Sequence, residues 1–229
     1  MHQSRLQRLS DLTHVGMPRA ASVLLAEEGR FLLGVRPPVV ERNRVLLRLT
    51  GIGGWAVGDE TFAETAARET LEETGCHLRL LDLDQTLVVQ SPDDMQRSAF
   101  PGEVAPAALV YRRFGTAPFD PWSPAFESSA PVAVYAGLLL GQPCVVAHAE
   151  LPLFMWLYPE QLIGLADSDA PLEYLLADGA DILGTADYDP RQAIARLTDS
   201  IQALVTALGA RAFPFLSDIA RLTQPARVE

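Results

Sequence analysis

Residues 54–76, GWAVGDETFAETAARETLEETGC, hold the pattern that decides the fold of this chain. Seven of these residues define the pattern by their spacing: Gly54, Glu60, Arg68, Glu69, Glu72, Glu73 and Gly75. Thr61, with Glu64 three residues later, forms a capping-box pattern, and a glycine suits the position that follows a helix. The stretch therefore predicts a loop followed by a helix from about residue 62 to about residue 74.

The predicted helix carries its carboxylates on one face. At about 100° per residue, Glu69, Glu72 and Glu73 cluster there and repel one another. An ion pair with Arg68 or a divalent cation could offset this repulsion, and carboxylate oxygens suit Mg²⁺ or Mn²⁺ better than Zn²⁺. The adjoining stripe is expected to pack on a sheet: Ala63, Ala66, Ala67, Thr70 and Leu71. A solvated acidic face is the commoner fate of a Glu-Glu pair, but the presence of all seven residues at this fixed spacing favours a functional site.

This segment resembles the Nudix box, the signature of the Nudix hydrolases, at all seven fixed positions. Thr70 and Cys76 depart from the bulky aliphatic residues that are usual at their positions. Asp59 stands where a glycine commonly precedes the first glutamate of the box. The resemblance implies a Nudix α/β/α sandwich with a mixed β-sheet over about residues 18–164.

Apolar runs between turn signals agree with a strand-rich domain, and Glu27-Glu28-Gly29 predicts a hairpin. The predicted strands cover residues 20–26, 30–35, 45–49, 77–89, 107–114, 131–140 and 149–157. Residues 91–102 are expected to form a loop, and a short helix is expected at about 171–177.

Two extensions flank the predicted domain. Residues 1–17 form an N-terminal helical extension in which Leu6, Leu9 and Leu12 have near-helical spacing. In the C-terminal extension, residues 165–229, the best-defined helix is predicted at 190–208, with Asp189 as its N-cap and Gly209 after its end. Its apolar stripe comprises Ile194, Leu197, Ile201, Leu204, Val205 and Leu208. The apolar stripe of such a helix must be buried, either against the domain or against a second subunit, and we expect a homodimer.

The resemblance assigns Mg²⁺, or alternatively Mn²⁺, to three carboxylates: Glu69, Glu72 and Glu73. Glu69 is also a candidate general base. A backbone carbonyl at Gly53 or Gly54 is implied to join the metal shell. Arg68 is implied to orient the glutamates, and Glu60 to support the helix or to bind the metal indirectly.

Residues outside the box complete the expected site. Some members recruit a further acid, for which the candidates are Glu150, Glu127 and Glu103, although a solvated surface position is the commoner fate of each. Arg36 ends a predicted strand, where it either points toward substrate phosphates or is solvated. The long 115–130 loop could act as a lid or stack on a base through its aromatic residues: Phe119, Trp122 and Phe126. Trp55 is expected to pack in the protein, with stacking on a ligand as the alternative.

Composition excludes several classes of protein. The net charge is −11, which disfavours a nucleic-acid polymer as partner. All 18 basic residues are arginine, which excludes a Walker phosphate loop, a pyridoxal enzyme and a protein kinase, since each needs a lysine. Cys76 and Cys144 form no metal or disulfide pattern and are expected to be buried thiols. The longest apolar run, 132–140, is too short to span a membrane, and we expect a cytoplasmic protein.

The resemblance implies hydrolysis of the diphosphate linkage between a nucleoside diphosphate and another group. ADP-ribose or another nucleotide sugar is favoured, because Pro92 lies sixteen residues after Cys76, a spacing common among ADP-ribose hydrolases of this family. The alternatives are a nucleoside triphosphate, a dinucleoside polyphosphate and coenzyme A. Two other classes stay open: a non-catalytic Nudix-fold regulator that binds a ligand, and a structural module that uses the C-terminal helix.

Overall fold

The structure is a computed structural model that describes residues 8–9, 18–91, 93–113, 129–146, 150–185 and 188–222. Several sequence predictions lie outside these residues: the helix expected at 1–17 apart from Arg8 and Leu9, most of the 115–130 loop, and the individual residues Pro92, Phe119, Trp122, Phe126 and Glu127.

The described chain contains five α-helices and fourteen β-strands. The helices are α1 (Phe62–Thr74), α2 (Pro159–Asp167), α3 (Leu172–Ala177), α4 (Asp199–Leu208) and α5 (Ala212–Arg221). The first seven strands are β1 (Ala20–Glu27), β2 (Arg30–Val35), β3 (Val39–Glu41), β4 (Arg44–Thr50), β5 (Ile52–Trp55), β6 (His77–Leu80) and β7 (Thr86–Ser91). The others are β8 (Asp94–Ser98), β9 (Ala108–Arg113), β10 (Ser129–Leu140), β11 (Leu153–Leu157), β12 (Ala170–Pro171), β13 (Asp181–Leu183) and β14 (Ala193–Leu197).

The strands form one mixed sheet with helices on both faces. Its main path runs β12-β14-β4-β2-β1-β10-β9-β7-β8, with β11 paired to β2 and β5 paired to β1. Strand β1 is parallel to β10, and it is antiparallel to β2 and β5. Successive side chains of a strand point to opposite faces. Accordingly Val23 packs in the core that contains α1, whereas Leu24 packs in the core that contains α2, α4 and α5. The predicted α/β/α sandwich with a mixed sheet is confirmed.

Helix α1 begins and ends where the sequence predicts. The Thr61 hydroxyl accepts a hydrogen bond from the Glu64 N–H at 3.2 Å, and the Glu64 carboxylate accepts one from the Thr61 N–H at 2.8 Å. Gly75 ends the helix in the left-handed conformation, with φ at 71°. The predicted buried stripe is partly wrong, because Ala67 and Leu71 are exposed. The buried face is rotated toward Phe62, Thr65, Ala66, Thr70, Glu73 and Thr74.

The prediction of a helix at 190–208 is wrong over the first half of that range. Asp189 caps a short 3-10 turn, in which its carboxylate accepts a hydrogen bond from the Arg191 N–H at 3.0 Å. Strand β14 follows and pairs in parallel with β4 before α4 begins at Asp199. The residues 193–197 alternate between buried and partly buried, which is the period of a strand. Pairing with the free edge of β4 therefore overrides the helical spacing of the apolar residues.

Three smaller predictions are corrected. The single strand expected at 77–89 is divided into β6, which pairs with β10, and β7, which pairs with β8 and β9. The loop expected at 91–102 contains β8, which continues a hairpin from β7. Cys144 is exposed, so only Cys76 fits the expected pair of buried thiols.

The segment Asp199–Arg221 is long and apolar enough to cross a membrane by length and composition. A buried core helix passes the same test, and the apolar side chains of α4 lie inside the domain, where Ile201 and Leu204 are fully buried. The chain itself covers this helix, so the helix is no longer a reason to expect a dimer. The homodimer stays a prediction.

Candidate active site

Arg68 joins the loop half of the 54–76 segment to its helix half. Its guanidinium donates to the Glu60 carboxylate at 2.7 Å, to Glu69 at 2.8 Å and to Glu72 at 3.0 Å. A fourth hydrogen bond, 2.9 Å long, reaches the backbone carbonyl of Trp55. The planar guanidinium can hold several acceptors at once, which an ammonium group cannot do in the same geometry. Arg68 thus fixes the relative positions of three carboxylates and the loop.

Glu60 is the anchor of the loop. Besides Arg68, its carboxylate accepts hydrogen bonds from the Val57 N–H at 2.9 Å and from the Thr65 hydroxyl at 3.2 Å. The hydrogen bond from Arg68, followed by the one from Val57, lowers the pKa of Glu60 to about 2. Glu60 is therefore ionised over the whole neutral range and is placed to support the helix, as expected.

Glu73 lies on the buried face of α1, against the glycine loop. Its carboxylate accepts a hydrogen bond from the Gly53 N–H at 3.1 Å. Burial, with a smaller contribution from the charges of Glu69 and Glu150, raises the pKa of Glu73 to about 8, although the Gly53 N–H opposes the shift. The prediction that Glu73 lies outside the buried stripe of the helix is therefore wrong, because the loop covers its carboxylate.

Glu69 lies between the other two helix carboxylates. Burial is the main cause that raises its pKa, and the charges of Glu72 and Glu150 act in the same direction, whereas Arg68 opposes them. Its carboxylate packs against Gly54 so closely that a Cβ at that position would collide with it. A side chain at residue 54 would therefore displace the Glu69 carboxylate from its position beside Arg68.

The three helix glutamates do not converge on one point. Within the described ranges, no group of three or more Asp, Glu, His or Cys side chains is placed to hold a metal ion. Arg68 holds Glu69 and Glu72, while Glu73 faces Gly53. The donors nevertheless fit a hard divalent cation: they are all oxygen atoms, and a cation would stabilise the charged form of the two carboxylates whose pKa burial raises, Glu69 and Glu73.

A cleft of about 240 Å³ opens beside the glycine loop, at the end of the sheet where β1 begins and where β2 and β4 end. Its lining includes Gly53, Gly54, Trp55, Arg36 and Asp199. Arg36 reaches into this cleft from the end of β2, so its guanidinium is placed where a substrate phosphate could contact it. This position supports the first of the two interpretations of Arg36.

The structure separates the candidates for an additional acid. Glu150 lies in the site, with its carboxylate 3.9 Å from the Arg36 guanidinium, and it raises the pKa of both Glu69 and Glu73. Glu103 lies elsewhere: it accepts a hydrogen bond from the Leu9 N–H at 3.2 Å and lines a second cavity. Glu103 therefore lies outside the cleft, and its role as an additional acid stays a prediction.

Two lining residues were missed by the sequence analysis. Trp55 is 47% exposed and faces the cleft, so the expectation that it is a packing residue is wrong. Asp199 begins α4 and approaches Arg36, 163 positions earlier in the chain. A signal for Asp199 existed, since Thr198-Asp199-Ser200 is a run of helix-capping residues inside the helix predicted at 190–208.

Comparison with known proteins gives a limited result. No family model and no curated protein match this sequence. Similar solved structures include a Nudix-family hydrolase from Clostridium perfringens, with 14% identity, 86% of this chain and 97% of that chain covered, and a TM-score of 0.43. An ADP-ribose pyrophosphatase from Streptococcus suis has 10% identity, covers 85% of this chain and 92% of its own, and has a TM-score of 0.40.

A third similar structure is a MutT protein from Methanosarcina mazei, with 21% identity, 64% of this chain and 80% of that chain covered, and a TM-score of 0.38. At this level of identity and TM-score, the similarities carry no argument about function.

Proposed function

We propose that this protein is a Mg²⁺-dependent Nudix pyrophosphohydrolase that cleaves the diphosphate linkage of a nucleoside diphosphate joined to another group. The observation that carries the proposal is the hydrogen-bonded network of Arg68 with Glu60, Glu69 and Glu72, which lies beside a glycine-lined cleft. This network joins the loop half of the box to its helix half, which supports the proposal. Mn²⁺ is the alternative ion.

The candidate metal ligands are Glu69, Glu72 and Glu73, with Gly53 or Gly54 contributing a backbone carbonyl. A divalent ion bound there would neutralise phosphate oxygens and lower the pKa of a water molecule. Release of the Arg68 ion pairs with Glu69 and Glu72 would free those carboxylates for the ion. Arg68 then keeps its hydrogen bonds to Glu60 and to the loop, so the site stays connected.

The remaining roles belong to residues in the cleft or next to it. Burial raises the pKa of Glu69, whose carboxylate lies against Gly54, and a raised pKa makes a carboxylate a better general base for the attacking water. Arg36 would bind a phosphate of the substrate, since a guanidinium donates two parallel hydrogen bonds to a phosphate. Glu150 lies close enough to act as the additional acid. The exposed ring of Trp55 could stack on a base, a role assigned at the sequence level to Trp122 and Phe126.

ADP-ribose is the first substrate to test. Among the described lining residues of the cleft, Arg36 is the one basic residue, which suits a diphosphate better than a longer polyphosphate. The acidic net charge of −11 agrees with a small substrate and no nucleic-acid polymer. The competitors are a nucleoside triphosphate, a dinucleoside polyphosphate and coenzyme A. We also propose a cytoplasmic homodimer with no membrane attachment.

The decisive experiment measures phosphate-containing products from this panel of compounds, with and without Mg²⁺. We expect Mg²⁺-dependent turnover of ADP-ribose by the wild type. Arg68→Lys should lower kcat/KM about 10- to 100-fold, because one ammonium group cannot hold the Glu60 carboxylate and the Trp55 carbonyl in the geometry of the guanidinium. Arg79→Lys is the matched control, since Arg79 is an exposed strand residue outside the site and its variant should keep wild-type activity.

The alternative of another class is a ligand-binding regulator without catalysis. It is favoured by one observation, namely that Glu69 and Glu72 are already paired with the Arg68 guanidinium. Isothermal titration calorimetry separates the two functions. Binding of ADP-ribose without Mg²⁺-dependent turnover of any compound in the panel would contradict the hydrolase and support the regulator.

A further inference from the structure

Asp199 has an unusual backbone conformation for its place in the fold. Its φ is +63°, in the left-handed region that L-residues other than Asn and Asp rarely adopt. The other described non-glycine residues with positive φ lie in tight hairpin turns, which require that conformation: Glu28, Arg42 and Asn43. Asp199 instead begins a helix, where local geometry requires no such conformation. Conformations of this kind persist where the surrounding structure imposes them and are common at functional sites.

The surrounding contacts fix the position of Asp199. Thr198, which precedes it, donates two hydrogen bonds to the Leu49 carbonyl, one from its N–H and one from its hydroxyl, both 2.8 Å long. These bonds hold the end of β14 beside β4. The turn that follows directs the Asp199 carboxylate into the cleft, where it lies 3.5 Å from the Arg36 guanidinium.

Arg36 lies between two acids that differ in exposure. The Asp199 side chain is 20% exposed, whereas the Glu150 side chain on the other side is 83% exposed. If Asp199 lost its charge, the remaining attraction would draw Arg36 toward Glu150 and solvent. A guanidinium carries five N–H donors, so the pairing with Asp199 leaves donors free for a phosphate.

We propose that Asp199 is a positioning residue that holds Arg36 over the cleft so that its guanidinium binds a phosphate group of the substrate. This inference rests on the proposed function and assigns a role in substrate binding to the C-terminal segment. The residue that acts on the substrate is Arg36, and Asp199 acts through it.

Steady-state kinetics of the full chain with ADP-ribose and Mg²⁺ tests the proposal. Asp199→Asn keeps a side chain that tolerates positive φ but removes the charge. We expect KM to rise about tenfold and kcat to stay within about twofold, because binding weakens while the box residues are unchanged. Asp169→Asn is the matched control: Asp169 pairs with Arg196 at 2.7 Å in the same C-terminal segment but outside the cleft, and its KM should not change.

A double-mutant cycle shows whether Asp199 acts through Arg36. Arg36→Gln should raise KM by at least as much as Asp199→Asn, and the double variant should have the KM of Arg36→Gln alone. Additive effects of the two substitutions would mean that Asp199 contributes independently of Arg36 and would overturn the inference.

The positive φ of Asp199 makes it possible to separate the effect of this residue on KM from its effect on stability. Asp199→Gly should have a higher Tm than Asp199→Ala, since glycine adopts positive φ without steric cost, yet both variants should have the raised KM. A wild-type KM in Asp199→Gly or in Asp199→Asn would overturn the proposed role. If the wild type turned over no compound of the panel, the proposed function would fail, and this inference would fail with it.

Discussion

Glu73 is a carboxylate that the fold places out of water, beside the Gly53 N–H. Burial favours its neutral form and raises its pKa to about 8, from an ordinary value of 4.5. Between these two values the folded state binds more protons than the unfolded state. The stability that this group contributes is therefore present below about pH 4.5 and is lost as the pH rises through about 8.

Glu73→Gln tests this buried charge in metal-free protein. The Tm of the wild type should fall between about pH 5.5 and about pH 8.5. The corresponding loss in unfolding free energy is on the order of a few kcal/mol at most. The variant cannot ionise at this position, so its Tm should decline less and should exceed that of the wild type at the upper pH. Thermal melts in EDTA provide the measurement.

Glu72→Gln is the matched control for this experiment, because Glu72 is an exposed carboxylate on the same helix. It should keep the wild-type slope of Tm against pH. An unchanged slope in Glu73→Gln would show that the Glu73 carboxylate is not the group that titrates. With substrate and Mg²⁺, Glu73→Gln should remain folded and lose nearly all turnover, since a neutral amide is a poor ligand for a hard cation.

At the scale of elements, the site depends on where α1 begins. The helix carries Arg68 and the three candidate ligand carboxylates, and its first turn is fixed by the reciprocal hydrogen bonds of Thr61 and Glu64. The preceding loop is fixed separately, through the hydrogen bonds of Glu60 to Arg68 and to the Val57 N–H. The cap therefore sets helix stability, while the ion pairs set the geometry of the site.

Thr61→Ala should lower the unfolding free energy by about 1 kcal/mol, because it removes the side-chain cap of the helix. Urea denaturation measures this loss. Thr61→Ser keeps the hydroxyl and should retain most of the stability. Hydrolysis by Thr61→Ala should remain close to wild type at a temperature where it is folded, since Glu60 and Arg68 keep their ion pair. A loss as large in the serine variant as in the alanine variant would contradict the capping role.

At the scale of the whole molecule, the C-terminal segment is part of the sandwich. Strand β14 extends the sheet beyond β4, and α4 packs against the face opposite α1. Leu204 is fully buried in that core, although it lies far beyond the expected end of the family domain at about residue 164. We therefore propose that residues 18–222 fold together rather than as a domain with an independent extension.

Leu204→Ala tests this packing. We expect a loss of about 2 to 5 kcal/mol in unfolding free energy, from the lost burial and the cavity that remains. Leu222→Ala is the control, since Leu222 follows α5 and is 57% exposed; its change should stay within about 0.5 kcal/mol. Equal effects of the two substitutions in chemical denaturation would mean that α4 is not part of the core.

The sequence by itself determined the features that depend on near neighbours. The cap at Thr61, the end of the helix at Gly75 and the pairing of Arg68 with Glu72 each join residues no more than four apart, or concern a single residue with a special backbone conformation. Alternating or continuous apolar runs likewise predicted β1, β2 and β10. Such patterns express hydrogen bonds and steric preferences that the local chain already contains.

Only the tertiary structure decided which distant segments meet. The burial of Glu73 depends on the loop at Gly53, and the approach of Asp199 to Arg36 depends on the parallel pairing of β14 with β4. The same pairing turned residues 193–197 into a strand, although their apolar spacing also fits a helix. The free edge of a sheet offers backbone hydrogen bonds to whichever segment reaches it, and the local sequence of that segment does not specify its partner.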